Sequence, residues 1–337
     1  MSIVNTFSLQ SNRQIKINFD GGDLSSDAGL LLIKEFISKL GIERLLNRSF
    51  KTNDSAVFRY HTDRDNLLQM IYMIMAGYFE DDASDELTKD PIFFNRMDED
   101  TLKQFQEISQ ILRKRIYSIQ MPQAVILDLD STLLAAYGKQ EGRAFNFHYR
   151  SNGYHPLVCY AGITGDLIKI QLRDGAAYSC TGVTNFLQPI LDEYLNDYPT
   201  IHLLLRGDSG FATPDLYKQC EENGTSYVIR LMENFIKESK SGFDFSAVSS
   251  HNRIVNANRV QVHALAYNIF NWFRRLVLSA KMRKQRIDTV RLKLLKIATK
   301  VVHSARYITF KLCSSCPYKE EFYDTLSVIG KLNVQLE

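Results

Sequence analysis

The chain has 337 residues, of which 45% are hydrophobic and 23% are charged, and its formal net charge is +3. That balance is ordinary for a globular protein, and the length suits about two domains. The most apolar window, NLLQMIYMIMAGYF, is too short and too polar to span a bilayer, so we expect no membrane segment.

The first 120 residues predict a mostly helical region. A polar cap followed by apolar positions at helical spacing recurs in three stretches: SSDAGLLLIKEFISKLG (25–41), DRDNLLQMIYMIMAGY (63–78) and DEDTLKQFQEISQILRKRIYSI (98–119). In the first of them, Ser26 or Asp27 is expected to cap the helix and Gly41 to end it.

After Pro122 the pattern changes from helices to strands. Three stretches rich in Val, Ile and Leu follow: AVILDLDSTLLAAYG (124–138), HPLVCYAGIT (155–164) and LIKIQLRDG (167–175). The last two flank a short turn centred on Gly165, which predicts an antiparallel hairpin. Elements then alternate: a helix over 183–198 that Pro189 should kink or delay, the strand IHLLLRGD, the helix TPDLYKQCEENG, the strand SYVIRL and the helix ENFIKESKSGF.

Three antiparallel strands followed by helix, strand, helix, strand and helix is the order of a ribonuclease H-like fold. We therefore expect a mixed α/β fold with a ribonuclease H-like core over 121–257. A helical N-terminal region, residues 1–120, precedes it, and a basic helical region, residues 258–337, completes it.

The stretch LLLRGDSGFA (203–212) contains Asp208 and has three possible interpretations. Its GDSG resembles the loop around the nucleophile of a serine protease, and its RGD resembles an adhesion tripeptide. Alternatively, Asp208 is a metal-binding carboxylate at the end of a strand. The start MSIVNTFSLQ lacks the basic and apolar regions of a secretory signal, and the five cysteines are odd in number and mostly isolated. Both features predict the reducing cytoplasm, which disfavours the protease and adhesion readings. The single CSSC motif has no second Cys pair, so we expect ordinary thiols there.

Three acids are candidates for a metal-binding site. Asp130 lies near the end of the first strand, Asp208 ends the strand expected beside it, and Glu233 opens the helix after the last strand. Carboxylates at those positions would converge at one edge of the sheet and bind two divalent ions, with Mg²⁺ preferred and Mn²⁺ an expected substitute. The chemistry would be in-line attack at a phosphodiester.

Two of these assignments have alternatives. Asp128 is two residues from Asp130 on the same face of the strand, and either of them suits the first acid. Glu238 competes with Glu233 for the third position, since an acid in the first turn of a helix is also routine compensation of the helix dipole.

A phosphatase of the haloacid dehalogenase type is a rival reading. VILDLDSTLLA matches the pattern of an apolar strand followed by Asp-x-Asp-x-Thr, with Asp128 as nucleophile and Asp130 as acid/base. Asp208 and Asp215 would then be the later magnesium ligands. That fold requires a parallel sheet with crossovers, whereas a hairpin is expected here.

The charges are distributed unevenly along the chain. Residues 271–311 carry twelve Lys and Arg against one acid, Asp288, while residues 80–100 carry nine acids against two bases. The basic segment suits DNA phosphates, and Trp272 within it is expected in the core. The candidate DNA contacts in this segment are Arg274, Arg275, Lys281, Arg283, Lys284 and Arg286.

Taken together, several stretches resemble a bacterial insertion-sequence transposase of the DDE type. They are NFDGGDLSSDAGLLLIKEF (18–36), AGYFEDDASDELTKDPIF (76–93), LDLDSTLLAAYGKQEG (127–142), GYHPLVCYAG (153–162), TGVTNFL (181–187), LLLRGDSGFATPDLY (203–217) and the run from ENFIKESK to NWFRRL (233–276). The resemblance implies Asp130, Asp208 and Glu233 as the catalytic triad of acids. In this family the third acid lies in a Tyr-x2-Arg-x3-Glu-x6-Lys signature whose basic residues hold DNA phosphates. Lys240 fits its lysine, so the resemblance implies Lys240 as a further DNA contact.

The front half of that signature does not fit. Tyr227 and Arg230 are nearby, but Arg230 is one residue too close to Glu233. The family resembled carries a β-rich insertion before the third acid, and here SYVIRLM runs directly into ENFIKESK. We therefore expect an internally shortened chain.

The resemblance implies a mobile-element transposase that cuts and rejoins double-stranded DNA at element ends, as a dimer, in the bacterial cytoplasm and nucleoid. The N-terminal helices would recognise the ends. The alternative is a catalytically impaired remnant that only binds DNA.

Overall fold

The computed structural model describes residues 6–21, 27–54, 60–78, 94, 96–229, 240, 242–245, 248–304 and 306–334. The N-terminal elements are β1 (Phe7–Ser8), β2 (Ile15–Gly21), α1 (Leu30–Lys39), α2 (Ile42–Ser49), α3 (Asp63–Ala76) and α4 (Glu99–Ile119). The central elements are β3 (Ala124–Ser131), β4 (Leu134–Ala135), β5 (Ala144–Asn146), β6 (Ser151–Tyr154), β7 (Leu157–Ala161), β8 (Leu167–Gln171), α5 (Val183–Asp197), β9 (His202–Gly207), α6 (Pro214–Glu222) and β10 (Ser226–Ile229). The C-terminal elements are α7 (Arg253–Val277), α8 (Ala280–Arg283), α9 (Ile287–Val290), β11 (Thr299–His303), β12 (Ile308–Cys313) and α10 (Lys319–Lys331).

The central sheet has five strands in the order β10-β9-β3-β7-β8. β3, β7 and β8 are antiparallel neighbours, while β9 is parallel to β3 and β10 is parallel to β9. This is the ribonuclease H-like order, so the predicted fold is confirmed. The β7–β8 hairpin also contradicts the parallel sheet that the dehalogenase-type reading requires, because β7 pairs antiparallel with the strand that bears both candidate acids.

Burial along β3 explains why this strand carries acids on one face. Val125, Leu127 and Leu129 are buried, whereas the residues between them, including Asp128 and Asp130, are half-buried. Side chains alternate between the two faces of a strand, so the apolar set packs into the core and the acids share the other face.

Helix α7 fixes the free edge of the central sheet. The side-chain amide of Asn268 accepts a hydrogen bond from the Leu167 backbone N–H and donates one to its carbonyl, both at 2.8 Å. The buried amide thereby takes the place of a neighbouring strand at the edge of β8. Trp272 of the same helix is buried, as predicted.

Two features of the chain differ from the expectations. The single strand predicted over 124–138 is divided into β3 and β4, and β4 forms a small sheet of order β4-β6-β5 with two strands that were not predicted. The C-terminal region was predicted to be helical over 258–337, and this is wrong for residues 299–313, since β11 and β12 form a hairpin that pairs with β2. Their sequences, TKVVH and ITFKLC, are rich in β-branched residues, which favour strands.

The start of α1 also differs from the expectation. Its N-cap is Gly29, with no side-chain cap. Asp27 instead adopts a left-handed backbone with φ of 75° and binds Lys296 at 3.0 Å, while Ser26 lies outside the described residues. Gly41 ends the α1 segment with φ of 65°, as predicted.

Pro189 lies inside α5, which runs from Val183 without a delayed start. All five cysteines are free thiols. None of the helices in the described part of the chain combines the length and apolarity needed to cross a bilayer.

Candidate active site

Asp130 and Asp208 come together at one edge of the central sheet. The last paired residues of the parallel strands β3 and β9 are Leu129 and Gly207, so the two acids are the next residues of neighbouring strands. Neighbouring strands lie about 4.8 Å apart. The backbone of Asp208 is still extended, with φ of −79° and ψ of 177°, so its side chain continues the alternation of β9. Both acids therefore lie on the same face of the sheet.

Each of these acids also has a local hydrogen bond. The Ser131 backbone N–H donates to Asp130 at 2.6 Å, and the Gly210 backbone N–H donates to Asp208 at 2.9 Å. Asp208 thereby caps the short 3₁₀ helix Ser209–Phe211, which turns the chain sharply after β9. Both carboxylates are half-buried, and the turn holds Asp208 at the end of its strand.

Asp128 forms an ion pair with an arginine of the neighbouring strand. Arg206 donates from Nε and Nη2 to the two carboxylate oxygens of Asp128, at 2.5 Å each. These hydrogen bonds raise the pKa of the Arg206 guanidinium. Sequence reasoning missed Arg206, although its position two residues before Asp208 places it on the same face as both acids.

Glu233, its competitor Glu238 and the signature residue Arg230 all lie outside the described residues. Tyr227 belongs to β10, the last core strand, where it stacks on Tyr217 with ring centroids 5.0 Å apart.

Lys240 brings a positive charge to the segment that directly follows Asp130. Its ammonium group donates to the Thr132 hydroxyl at 3.2 Å and to the Leu133 carbonyl at 3.1 Å. These residues follow directly after β3, two and three positions from Asp130. The lysine of the signature therefore lies at the acidic edge.

A buried arginine fixes the loop beside this edge. Arg173 donates to the carbonyls of His155, Tyr178, Ser179 and Thr181 at 2.7–3.1 Å. Burial lowers the pKa of Arg173 to about 10.

The loop in turn contacts the strand that carries the first acid, since the Ser131 hydroxyl donates to the Ser179 hydroxyl at 3.0 Å. The carbonyl of Ala177 lies 2.7 Å from Nδ1 of His155, whose pKa is lowered by burial. His155 is therefore structural, and the loop is fixed from two sides.

The donors at the acidic edge suit a hard divalent cation. Asp130 and Asp208 offer carboxylate oxygens, which Mg²⁺ and Mn²⁺ prefer over nitrogen or sulfur. Within the described ranges, no group of three or more His, Cys, Asp or Glu residues is close enough to hold a metal ion. The pair Asp130 and Asp208 still suits Mg²⁺, because this ion is commonly bound by one or two carboxylates and retains water ligands.

The predicted DNA contacts of the C-terminal region divide into two groups. Lys281, Arg283, Lys284 and Arg286 are exposed around α8. Arg274 and Arg275 are half-buried. Arg275 is paired with the buried Asp166 at 2.8 Å, and burial raises the pKa of that carboxyl. Arg275 therefore has a structural role as the partner of Asp166. The four exposed cations around α8 are more accessible to a DNA phosphate.

A sequence profile of the family described as Transposase DDE domain group 1 matches this chain in three segments, residues 7–96, 93–232 and 231–334. Similar solved structures include a piggyBac transposase synaptic complex with hairpin DNA, 14% identical, with a TM-score of 0.31 over 60% of this chain and 50% of that chain. A Mos1 transposase paired-end complex with left transposon end is 11% identical, with a TM-score of 0.24 over 73% of this chain and 86% of that chain. The chain thus spans half the length of the piggyBac protein. None of the curated proteins matches it.

Proposed function

The chain belongs to the Transposase DDE domain group 1 family, and from this premise we propose that it cuts and rejoins DNA phosphodiesters at the ends of an insertion sequence. The observation that carries the proposal is the pair of acids Asp130 and Asp208, brought side by side on parallel strands of a ribonuclease H-like sheet.

In this proposal Asp130 and Asp208 hold the metal ions, and Glu233 is the third acid. Divalent ions bound there supply a Lewis acid that lowers the pKa of bound water and neutralises charge on phosphate oxygens. The protein fixes the positions of the ligands, because the strand register sets the spacing of the two acids. The ion pair with Arg206 disfavours Asp128 as a ligand of the same metal ions. Water, and then a freed 3′-hydroxyl, would be the attacking groups.

Double-stranded DNA is the proposed partner. Lys281, Arg283, Lys284 and Arg286 are exposed cations suited to phosphate contacts, which position DNA without reading its sequence. Lys240, beside the acidic edge, would contact a phosphate near the cleaved bond. We propose that residues 1–120 recognise the ends of the element. We also propose that the protein acts on DNA as a dimer and is located at the bacterial nucleoid.

A second candidate function is DNA binding without cleavage. Only residues 230–239 separate the end of β10 at Ile229 from Lys240. Ten residues leave no room for a β-rich domain before the third acid, and the segments matched by the family profile also meet at residues 231–232. An internally shortened transposase that occupies ends without cutting them would have these features.

Cleavage of the inverted repeats that flank the coding region, in Mg²⁺ or Mn²⁺, separates the two candidates. We expect the wild type to cut the ends, and Asp130→Asn and Asp208→Asn to lose cutting while still binding. Asp215→Asn is the matched control, because Asp215 is an exposed acid in the first turn of α6. Equal cutting by all four proteins would contradict the assignment of the acids. Binding without cutting by any of them would support the second candidate.

A further inference from the structure

The small sheet β4-β6-β5 ends in an exposed aromatic hairpin, residues 144–154, formed by β5, β6 and the turn 147–150 between them. We propose that this aromatic hairpin stacks on unpaired bases of DNA at the acidic edge. The inference rests on the proposed function, because it names the form of DNA that the same site receives.

The turn displays aromatic rings to solvent. Phe145, Phe147 and Tyr149 are 42%, 86% and 37% exposed. The rings of Phe145 and Phe147 meet edge to face with centroids 5.2 Å apart. Exposed aromatic rings have apolar faces that water does not satisfy, and they are the side chains on which single-stranded nucleic acids stack.

A buried amide holds the turn that carries these rings. Asn146 is 5% exposed, and its Oδ1 accepts from the backbone N–H groups of His148 and Tyr149 at 3.1 and 3.2 Å. Its Nδ2 donates to the Gly175 carbonyl at 2.8 Å, which ties the hairpin to the loop beside the acids. Arg150 completes the turn in a left-handed conformation with φ of 51°. The rings are therefore presented by a fixed turn, so little ordering is lost on binding.

The hairpin lies next to the first acid. The Tyr149 hydroxyl donates to the carbonyl of Ser131 at 3.2 Å, and Ser131 directly follows Asp130. The Tyr149 ring also packs edge to face on His155, at 5.8 Å between centroids. A strand end released from its complement at the acids would reach these rings without crossing the protein.

The charge around the turn favours DNA as the occupant over a second copy of the chain. Arg150 in the turn and Lys139 in the segment before the hairpin are exposed cations, and Glu141 is the one acid in the sequence 137–150. Glu141 accepts a hydrogen bond from the backbone of Arg253. Bases in a duplex stack on one another, so their faces are not accessible to the aromatic rings. The aromatic hairpin would therefore bind unpaired strands in preference to a duplex.

The test compares binding of the full chain to an oligothymidylate of about 20 nucleotides and to a duplex of the same length, by fluorescence anisotropy. We expect Phe147→Ala to weaken binding to the single strand about tenfold, with duplex binding unchanged. Phe147→Trp should restore it. Tyr60→Ala removes a ring that is 96% exposed on another part of the chain and should change neither affinity.

A probe with 2-aminopurine in the strand should be quenched by the wild type and not by Phe147→Ala, which separates stacking from charge. Equal loss on single strand and duplex would overturn the inference, as would unchanged binding by Phe147→Ala or a shift in oligomeric mass without a change in affinity. Because this readout needs no cleavage, it can fail while Asp208→Asn still abolishes cutting, and it can succeed in a chain that does not cut.

Discussion

Arg206 and Asp128 are register partners on neighbouring parallel strands, and they form a two-point ion pair with both N–O distances at 2.5 Å. The pair lies two residues before Asp130 and Asp208 on the same face of the sheet. It separates two acids that the sequence alone leaves equivalent. Asp128 is bound to the Arg206 guanidinium, whereas Asp130 lies two residues further along, at the edge of the sheet beside Asp208.

We expect Arg206→Ala to weaken both stability and the proposed cleavage, because the freed Asp128 adds negative charge next to the two acids. The stability loss should be about 1 kcal/mol, since the Arg206 side chain is 36% exposed and water screens the pair. Urea unfolding and cleavage rate measure the two effects. Adding Asp128→Asn to Arg206→Ala should recover part of the cleavage. Cleavage that is unchanged in the single variant would exclude a role for the pair.

Gly29 should not tolerate a side chain, although its backbone at φ −63° is accessible to any residue. A β-carbon there would lie 1.7 Å from the Leu294 carbonyl oxygen, at the point where α1 docks on the C-terminal region. We expect Gly29→Ala to lower the free energy of unfolding by about 3 kcal/mol, the upper end of the usual cost of overpacking. Gly242→Ala is the control, because its nearest neighbour would be 3.4 Å away on the flexible Ile287 side chain. Equal stability of the two variants would show that the backbone at Gly29 and Leu294 can move apart to accept a side chain.

Arg275→Ala should destabilise the protein through Asp166. Both side chains are largely buried, and removal of the arginine leaves a buried carboxyl without its cation. We expect a loss of about 3 kcal/mol in chemical unfolding. Asp166→Asn in the same chain should recover part of it, because Asn271 can still hydrogen-bond the new amide. If Arg275→Ala unfolds like the wild type, the arginine is free for DNA after all.

The exposed cations around α8 should affect DNA binding and leave stability unchanged. Lys281→Gln, Arg283→Gln and Lys284→Gln together should weaken duplex binding at low salt. The slope of log affinity against log salt should fall by about 0.9 for each phosphate that the variant no longer neutralises. Titrations at several salt concentrations measure the slope, with Arg44→Gln on α2 as a surface control outside the basic segment. An unchanged slope would place the DNA elsewhere.

His263 should make the protein acid-sensitive. Burial lowers the pKa of this imidazole below 6.5, against a smaller opposing effect from its hydrogen bond to the Phe243 carbonyl. Because the unfolded chain then binds more protons than the folded one, stability is lost as the pH falls through the unfolded value. His155 shifts in the same direction. We expect His263→Gln to make the decline in unfolding free energy between about pH 7 and pH 5 shallower. An identical decline would assign it to other groups.

Much of the core fold could be predicted because its signals are local. Alternating burial along 124–131, the turn at Gly165 and the helical spacing over 183–198 each lie within a single element, and the order of these elements is that of the ribonuclease H-like sheet. The two acids at the ends of β3 and β9 follow from that order.

Only the tertiary structure determined the contacts between residues that lie far apart in the chain. The strand pairing of Ile15 with Ile308 turns a segment predicted as helix into a hairpin, because its backbone hydrogen bonds are completed by the other end of the protein. The same reason applies at the acidic edge: Asp128 and Asp130 have the same local pattern, and the ion pair of Asp128 with Arg206 depends on a neighbouring strand that lies far away in the sequence. Local sequence sets which conformations are favourable, while long-range packing and charge pairing choose among them.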